Sequence, residues 1–81
     1  MDLRNIQTFI RVAELGSFTK AANEMNYVQS TVTMQMQQLE KELGVPLFDR
    51  IGKKVSLTSP GREFLSYANE IMNIMHKAST L

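Results

Sequence analysis

Three short punctuation signals partition this chain. Gly16-Ser17 couples a helix stop to a helix cap, and Gly44-Val45-Pro46 ends a helix and prevents its resumption. Thr58-Ser59-Pro60 opens another, with Thr58 or Ser59 as cap and the proline in the first turn, where a missing N–H does no harm. A chain of 81 residues without cysteine must draw its stability from well-packed helices, from a partner chain, or from both.

Asp2 is placed to cap a first helix, whose Leu3, Ile6, Phe9, Ile10 and Ala13 recur at three-to-four spacing and make one face apolar. A short second helix, Phe18 through Met25, carries the small pair Ala21 and Ala22, which lets a crossing helix approach closely. Asn26-Tyr27-Val28 is a tight connection to a third helix, from about Gln29 to Leu43, with Val32, Met36, Leu39 and Leu43 on one face. After Pro46 the period changes. Phe48 to Ile51 and Val55 to Thr58, around Gly52-Lys53-Lys54, predict two short strands joined by a turn. The expected fold is mainly α: three helices and a β-hairpin over residues 1–58, followed by a long helix over 59–81.

The last helix is the most regular part. Phe64, Ala68, Ile71, Met75 and Ala78 form one row, Leu65 and Met72 a second, and Tyr67, Ile74 and Leu81 a third. Together they cover roughly 160° of the helix, wider than the ~100° that one core face needs. A chain of 81 residues is too small to cover both flanks. The surplus predicts pairing with a second copy through Leu65, Tyr67, Ala68, Ile71, Met72, Ile74 and Met75; the alternative is a helix sandwiched in its own domain. The closing Ser79-Thr80-Leu81 carries no stop signal, so the helix is expected to continue into something longer.

With no cysteine and one histidine, the chain lacks disulfides, thiolate zinc sites and most nucleophilic catalysis. His76 falls in the polar register of the last helix with Arg62 and Asn69, where a solvated or interface role is expected. Glu40 and Glu42 could pair with Lys41 or with the hairpin and have no catalytic company, so no enzyme, cofactor or metal is expected. Met1-Asp2-Leu3-Arg4-Asn5 leads into an amphipathic helix and not an apolar run. The longest uncharged stretch, Met25 to Leu39, is too rich in Gln, Thr and Ser to span a membrane, and a cytoplasmic location is expected.

That uncharged stretch is also the candidate site. Gln29, Ser30, Thr31, Thr33, Gln35, Gln37 and Gln38 all offer hydrogen-bonding groups on a helix that follows another across a tight turn. A helix entering the major groove of DNA needs short polar side chains near its N-terminus. There glutamine can bond adenine N6 and N7 as a bidentate pair, and Thr or Met methyls suit the thymine methyl. The competing interpretation is an ordinary solvated face, or a helical dimerisation or adaptor module whose Gln-rich face binds protein.

Charge separates these readings. The net charge is only +1, which argues mildly against nucleic acid. Yet Arg50, Lys53, Lys54 and Arg62 put four positive and no negative charges between residues 50 and 62, while the remainder has five positive and eight negative. A basic-tipped hairpin after two helices and a turn is a wing, placed to touch backbone or minor groove.

Gly16-Ser17-Phe18-Thr19-Lys20-Ala21-Ala22, Gln29-Ser30-Thr31-Val32-Thr33, Gln38-Leu39-Glu40, Leu43 through Arg50 and Leu57-Thr58-x-x-Gly61 resemble, in order and without gaps, the N-terminal signature of LysR-type transcriptional regulators. The resemblance implies a winged helix-turn-helix, a linker helix that pairs two subunits on an inverted-repeat operator, and a further domain, absent here, that binds a small-molecule inducer. It implies base contacts from Gln29, Ser30, Thr33 and Met34. Backbone and wing contacts would come from Ser17, Phe18, Thr19, Thr31, Gln35, Arg50, Lys53 and Lys54. It also implies double-stranded DNA as partner and a homodimer, or a tetramer at full length. Two positions depart from the family pattern. Val28 stands where a capping serine is common, so the recognition helix is expected to start later or to use Ser30 as cap. Met34 replaces a residue that is often basic, implying less phosphate or guanine contact and more thymine-methyl contact.

Overall fold

A computed structural model describes residues 1–52 and 54–81. Helices α1 (Leu3–Leu15), α2 (Phe18–Met25) and α3 (Gln29–Leu43) are followed by strands β1 (Phe48–Ile51) and β2 (Lys54–Leu57) and by helix α4 (Ser59–Ala78). The strands form an antiparallel pair in which Phe48 faces Leu57 and Ile51 faces Lys54. This is the expected mainly α architecture, with the hairpin as its only sheet among the described residues.

The caps explain where the helices begin and end. Asp2 accepts the Arg4 N–H, and Ser17 accepts the Lys20 N–H at 3.1 Å. The Arg4 guanidinium and its N–H hold the Asp2 carboxyl below its ordinary value, so this cap survives acidification further than a free aspartate would and is lost as pH falls through the lowered value. At the α2–α3 turn, Asn26 takes a left-handed φ of 59°, which asparagine tolerates better than most residues. Tyr27 N–H then reaches back to the Ala22 carbonyl at 2.9 Å and closes the turn.

Val28 occupies the cap position of α3 and makes no side-chain cap, yet α3 begins at Gln29. The expectation of a later start, or of Ser30 as cap, is corrected. Thr31 and Val32 N–H groups bond the Val28 carbonyl at 3.0 and 3.4 Å, so the backbone alone starts the helix.

The core draws on all four helices, with Phe48, Val55 and Leu57 of the hairpin packed partly against it. Ile6, Phe9 and Val12 of α1 meet Phe18, Ala21 and Ala22 of α2, Val32, Met36 and Leu39 of α3, and Phe64 and Ala68 of α4, with Leu47 between. On α1 the buried stripe is rotated from the predicted one. Leu3 is exposed, and Ile10 and Ala13 are half-buried, whereas Asn5, Thr8 and Val12 lie inside. Both polar residues are satisfied there: Asn5 donates to Gln38 Oε1 at 3.3 Å and Thr8 to the Arg4 carbonyl at 3.0 Å. Ala68 is fully buried against this core, which corrects its assignment to a dimer interface. Its small side chain lets α4 cross α1 closely, as a larger residue would not.

The connection from α3 to β1 is gripped from two sides. Glu40 accepts the Leu47 N–H at 2.6 Å, so among the described residues it pairs with this connection and neither with Lys41 nor with the hairpin. Glu42 lies 3.3 Å from the Met1 amino group. From the other side, Thr58 accepts the Gly61 N–H at 3.0 Å and donates to the Pro46 carbonyl at 2.7 Å. Its own N–H bonds the Leu47 carbonyl at 3.0 Å. Thr58→Ala removes a cap and a cross-tie together and should destabilise the chain by about 2 kcal/mol in thermal or urea unfolding, with Thr58→Ser close to the starting value.

Candidate nucleic-acid interface

Two helix N-termini and one face of the hairpin converge on a cleft of about 390 Å³ lined by Ser17, Phe18, Thr19, Gln29, Arg50, Gly52 and Val55. Five of the residues expected to touch DNA therefore meet in one place, although they come from three separate elements. First-turn N–H groups have no partner within their own helix and favour an anion. On α3 this holds more strongly than usual, because Val28 supplies no side-chain acceptor.

Arg50 is held by aromatic packing. Its guanidinium carbon lies 4.4 Å from the centroid of Phe18. Phe18 rests edge-on against Phe48 at 5.7 Å, Phe48 against Phe9 at 5.3 Å, and Phe9 against Phe64 at 5.1 Å. All four phenylalanines of the chain form this row. A cation over a ring face gains electrostatic energy and loses little hydration, so Arg50 is oriented before any ligand arrives. Phe18 itself is buried. Its side chain is therefore corrected from a direct backbone contact to the seat of Arg50, and only its first-turn N–H is left for phosphate.

The hairpin divides its basic residues. Side chains alternate along a strand, and Arg50 pairs with Val55 while Lys54 pairs with Ile51, so Arg50 faces α2 and Lys54 the opposite side. Lys54 is exposed there, outside the cleft. Arg62 is drawn back, donating to the Leu57 carbonyl at 3.2 Å. The expected contact at Lys53 lies outside the described residues.

On α3, Gln29, Ser30 and Met34 are exposed and Thr33 and Thr31 are half-buried. Met34 keeps 61% of its surface, an unusual exposure for so apolar a residue in an uncharged surround. Gln35 is 8% exposed and faces inward, which corrects its assignment as a backbone contact. Its position three after Val32 and four before Leu39 puts it in the core stripe, and its Oε1 has no partner among the described residues. Gln37 was not among the predicted contacts. It is exposed and follows Ser30, Thr33 and Met34 at seven, four and three residues, so it shares their face of α3.

Helix α4 has two unlike halves. Gly61, Phe64 and Ala68 are buried, and Leu65, Ile71 and Met72 pack partly on the core. From Asn73 onward every residue is exposed, with Ile74 at 65% and Met75 also open, and Tyr67 is 55% exposed on the same helix. His76 lies on this exposed stretch, as expected.

Among the described residues no group of three His, Cys, Asp or Glu side chains could hold a metal, and no helix is long and apolar enough to cross a membrane.

Two helices across a tight turn, a basic hairpin and a trailing helix, with helix N-termini and an arginine around one cleft, define a winged helix-turn-helix domain. Residues 3–62 match the model of the bacterial regulatory helix-turn-helix protein, lysR family. The chain belongs to this family. It is 46% identical over 78 residues to the uncharacterized HTH-type transcriptional regulator YwqM of Bacillus subtilis (strain 168), covering 96% of this chain and 27% of that protein. It is 51% identical over 72 residues to the HTH-type transcriptional regulator CzcR of the same strain, covering 89% of this chain and 25% of that protein. The chain thus spans about a quarter of the length of these relatives. Among solved structures, the DNA-binding domain of CbnR in complex with DNA superposes with a TM-score of 0.95 at 36% identity, over 99% of this chain and 92% of that one. The BenM DNA-binding domain with benA site 1 DNA gives 0.93 at 35%, over 99% and 93%.

Proposed function

We propose that this chain is the DNA-reading part of a transcription regulator that binds double-stranded DNA sequence-specifically. In this reading α3 enters the major groove and presents Gln29, Ser30, Thr33, Met34 and Gln37 to base edges. Arg50, Lys54 and the first turns of α2 and α3 hold phosphates and set the register. The observation that carries the reading is the convergence of Gln29, Arg50 and two helix N-termini on one cleft. The likeness to domains solved on DNA supports it.

Two copies would pair through the open side of α4, where Tyr67, Ile74 and Met75 are exposed and Leu65, Ile71 and Met72 are only partly covered. Such a homodimer places one α3 in each half-site of an inverted repeat, with tetramers open to the full-length protein. Inducer binding would belong to residues beyond this chain, which needs no cofactor of its own. The domain acts by binding, without catalysis, in the cytoplasm.

Titration with duplex DNA at 50 and 200 mM salt tests this reading. If a dimer covers six or more phosphates, affinity should fall by about 10³-fold over that range. A surface built for protein would show no such interaction.

A further inference from the structure

Thr19, in the first turn of α2, donates its hydroxyl proton to Oε1 of Gln29, the first residue of α3, at 3.0 Å. Both side chains are exposed at the cleft they share with Arg50. We propose that Thr19 is a positioning residue for base reading: it holds the Gln29 amide oxygen toward α2 and leaves the amide NH2 as the group presented to the major groove. The inference deepens the DNA-binding reading above and rests on it.

An amide carries its acceptor and its donors on opposite sides of one planar carbon. Bidentate recognition of adenine requires both sides to face the same base edge, oxygen to the N6 amino group and nitrogen to N7. An oxygen engaged by a neighbouring helix does not face that edge while the bond lasts. A donor then remains. Guanine, with O6 and N7 both acceptors, is its best complement and thymine O4 the next, whereas adenine offers N7 alone, beside an N6 amino group left without an acceptor. The adenine pairing expected from residue type is thereby replaced by selection for an acceptor.

The tether is well founded. Ser17 caps α2 by accepting the Lys20 N–H at 3.1 Å, and buried Phe18 fixes the same turn to the core. Threonine has a branched, stiff side chain, so its hydroxyl is held more firmly than a longer donor would be. A free glutamine samples many rotamers, and holding one of them before DNA arrives reduces the entropy lost on docking. Thr19 also changes role. Its hydroxyl proton is engaged by Gln29, so the expected phosphate contact at this position falls to its backbone N–H.

The experiment selects bound duplexes from a random pool with the unaltered chain and four variants, and measures salt dependence on the selected site. The position read by Gln29 is the one whose preference Gln29→Ala abolishes. There the unaltered chain should select guanine or thymine. Thr19→Val, close in shape but without the proton, should weaken that preference about tenfold or move it toward adenine, with an unchanged salt slope. Thr19→Ser should restore it. Gln29→Glu keeps the bond from Thr19 while presenting an acceptor, and should convert the position to cytosine. Adenine selected by the unaltered chain, or the original preference retained in Thr19→Val, overturns the inference and leaves the DNA-binding reading standing. So does an equal loss of affinity for all duplexes with base preference intact, which marks Thr19 as a backbone contact. Absence of any duplex binding by the unaltered chain overturns both.

Discussion

Gly61→Ala should lower the stability of the chain by about 3 kcal/mol, at the upper end of what overpacking usually costs. A Cβ at this position would stand 2.1 Å from the Leu47 carbonyl oxygen and 3.1 Å from its carbon. These are backbone atoms and cannot swing aside. Either α4 or the Leu47 connection must move, and the same carbonyl accepts the Thr58 N–H that ties β2 to this junction. Urea unfolding of the two chains reads the difference directly. Gly44 provides the contrast, since a Cβ there meets nothing within 4 Å and its only obstacle is a φ of +74°. Gly44→Ala should therefore cost about 1–2 kcal/mol, from backbone conformation alone. Equal losses in the two variants would show that close packing at Gly61 is not what matters.

The second large effect concerns binding. Arg50→Ala should weaken association with every duplex about tenfold and reduce the slope of log K against log salt by about one for each protomer bound. Sequence preference should be unchanged, because Arg50 is assigned to phosphate. The ring beneath it supplies a graded control. Phe18→Leu, with Arg50 in place, keeps an apolar side chain in the core but removes the π-face 4.4 Å from the guanidinium, and should weaken binding two- to threefold at most. A change in base preference in Arg50→Ala, with the salt slope intact, would move Arg50 from the backbone to the bases.

Much of this was visible in the residues. The stops at Gly16 and Gly44, the cap at Ser17 and the period change after Pro46 each act locally, through one or two backbone groups, so their signals survive without tertiary context. The burial of Gln35 was legible too, three residues after Val32, but its polar type drew it to the outer face. Asn5 and Thr8 were hidden for a different reason. Their burial depends on partners, the side chain of Gln38 and the carbonyl of Arg4, and the first of these lies 33 residues away. At the start of α3 the expectation leaned on a side-chain cap, whereas the Val28 carbonyl was enough. The α4 rows showed that the helix had too much apolar surface for one face. They did not show that Ala68 belongs to the covered side, which follows from how closely α4 crosses α1. The seating of Arg50 on Phe18 and the bond between Thr19 and Gln29 join separate elements and have no local signature.

The row of four rings bears on how such a domain can be rebuilt. Because Phe48 begins the strand that carries Arg50, and Phe18 lies in the helix opposite, the hairpin is not a cassette that can be grafted by its tip alone. Transplanting residues 49–56 onto another scaffold would transfer the charges and leave behind the aromatic bed that orients them. A working graft would have to bring positions 18 and 48 with it, and a host with room for both rings beside its own equivalent of Phe9.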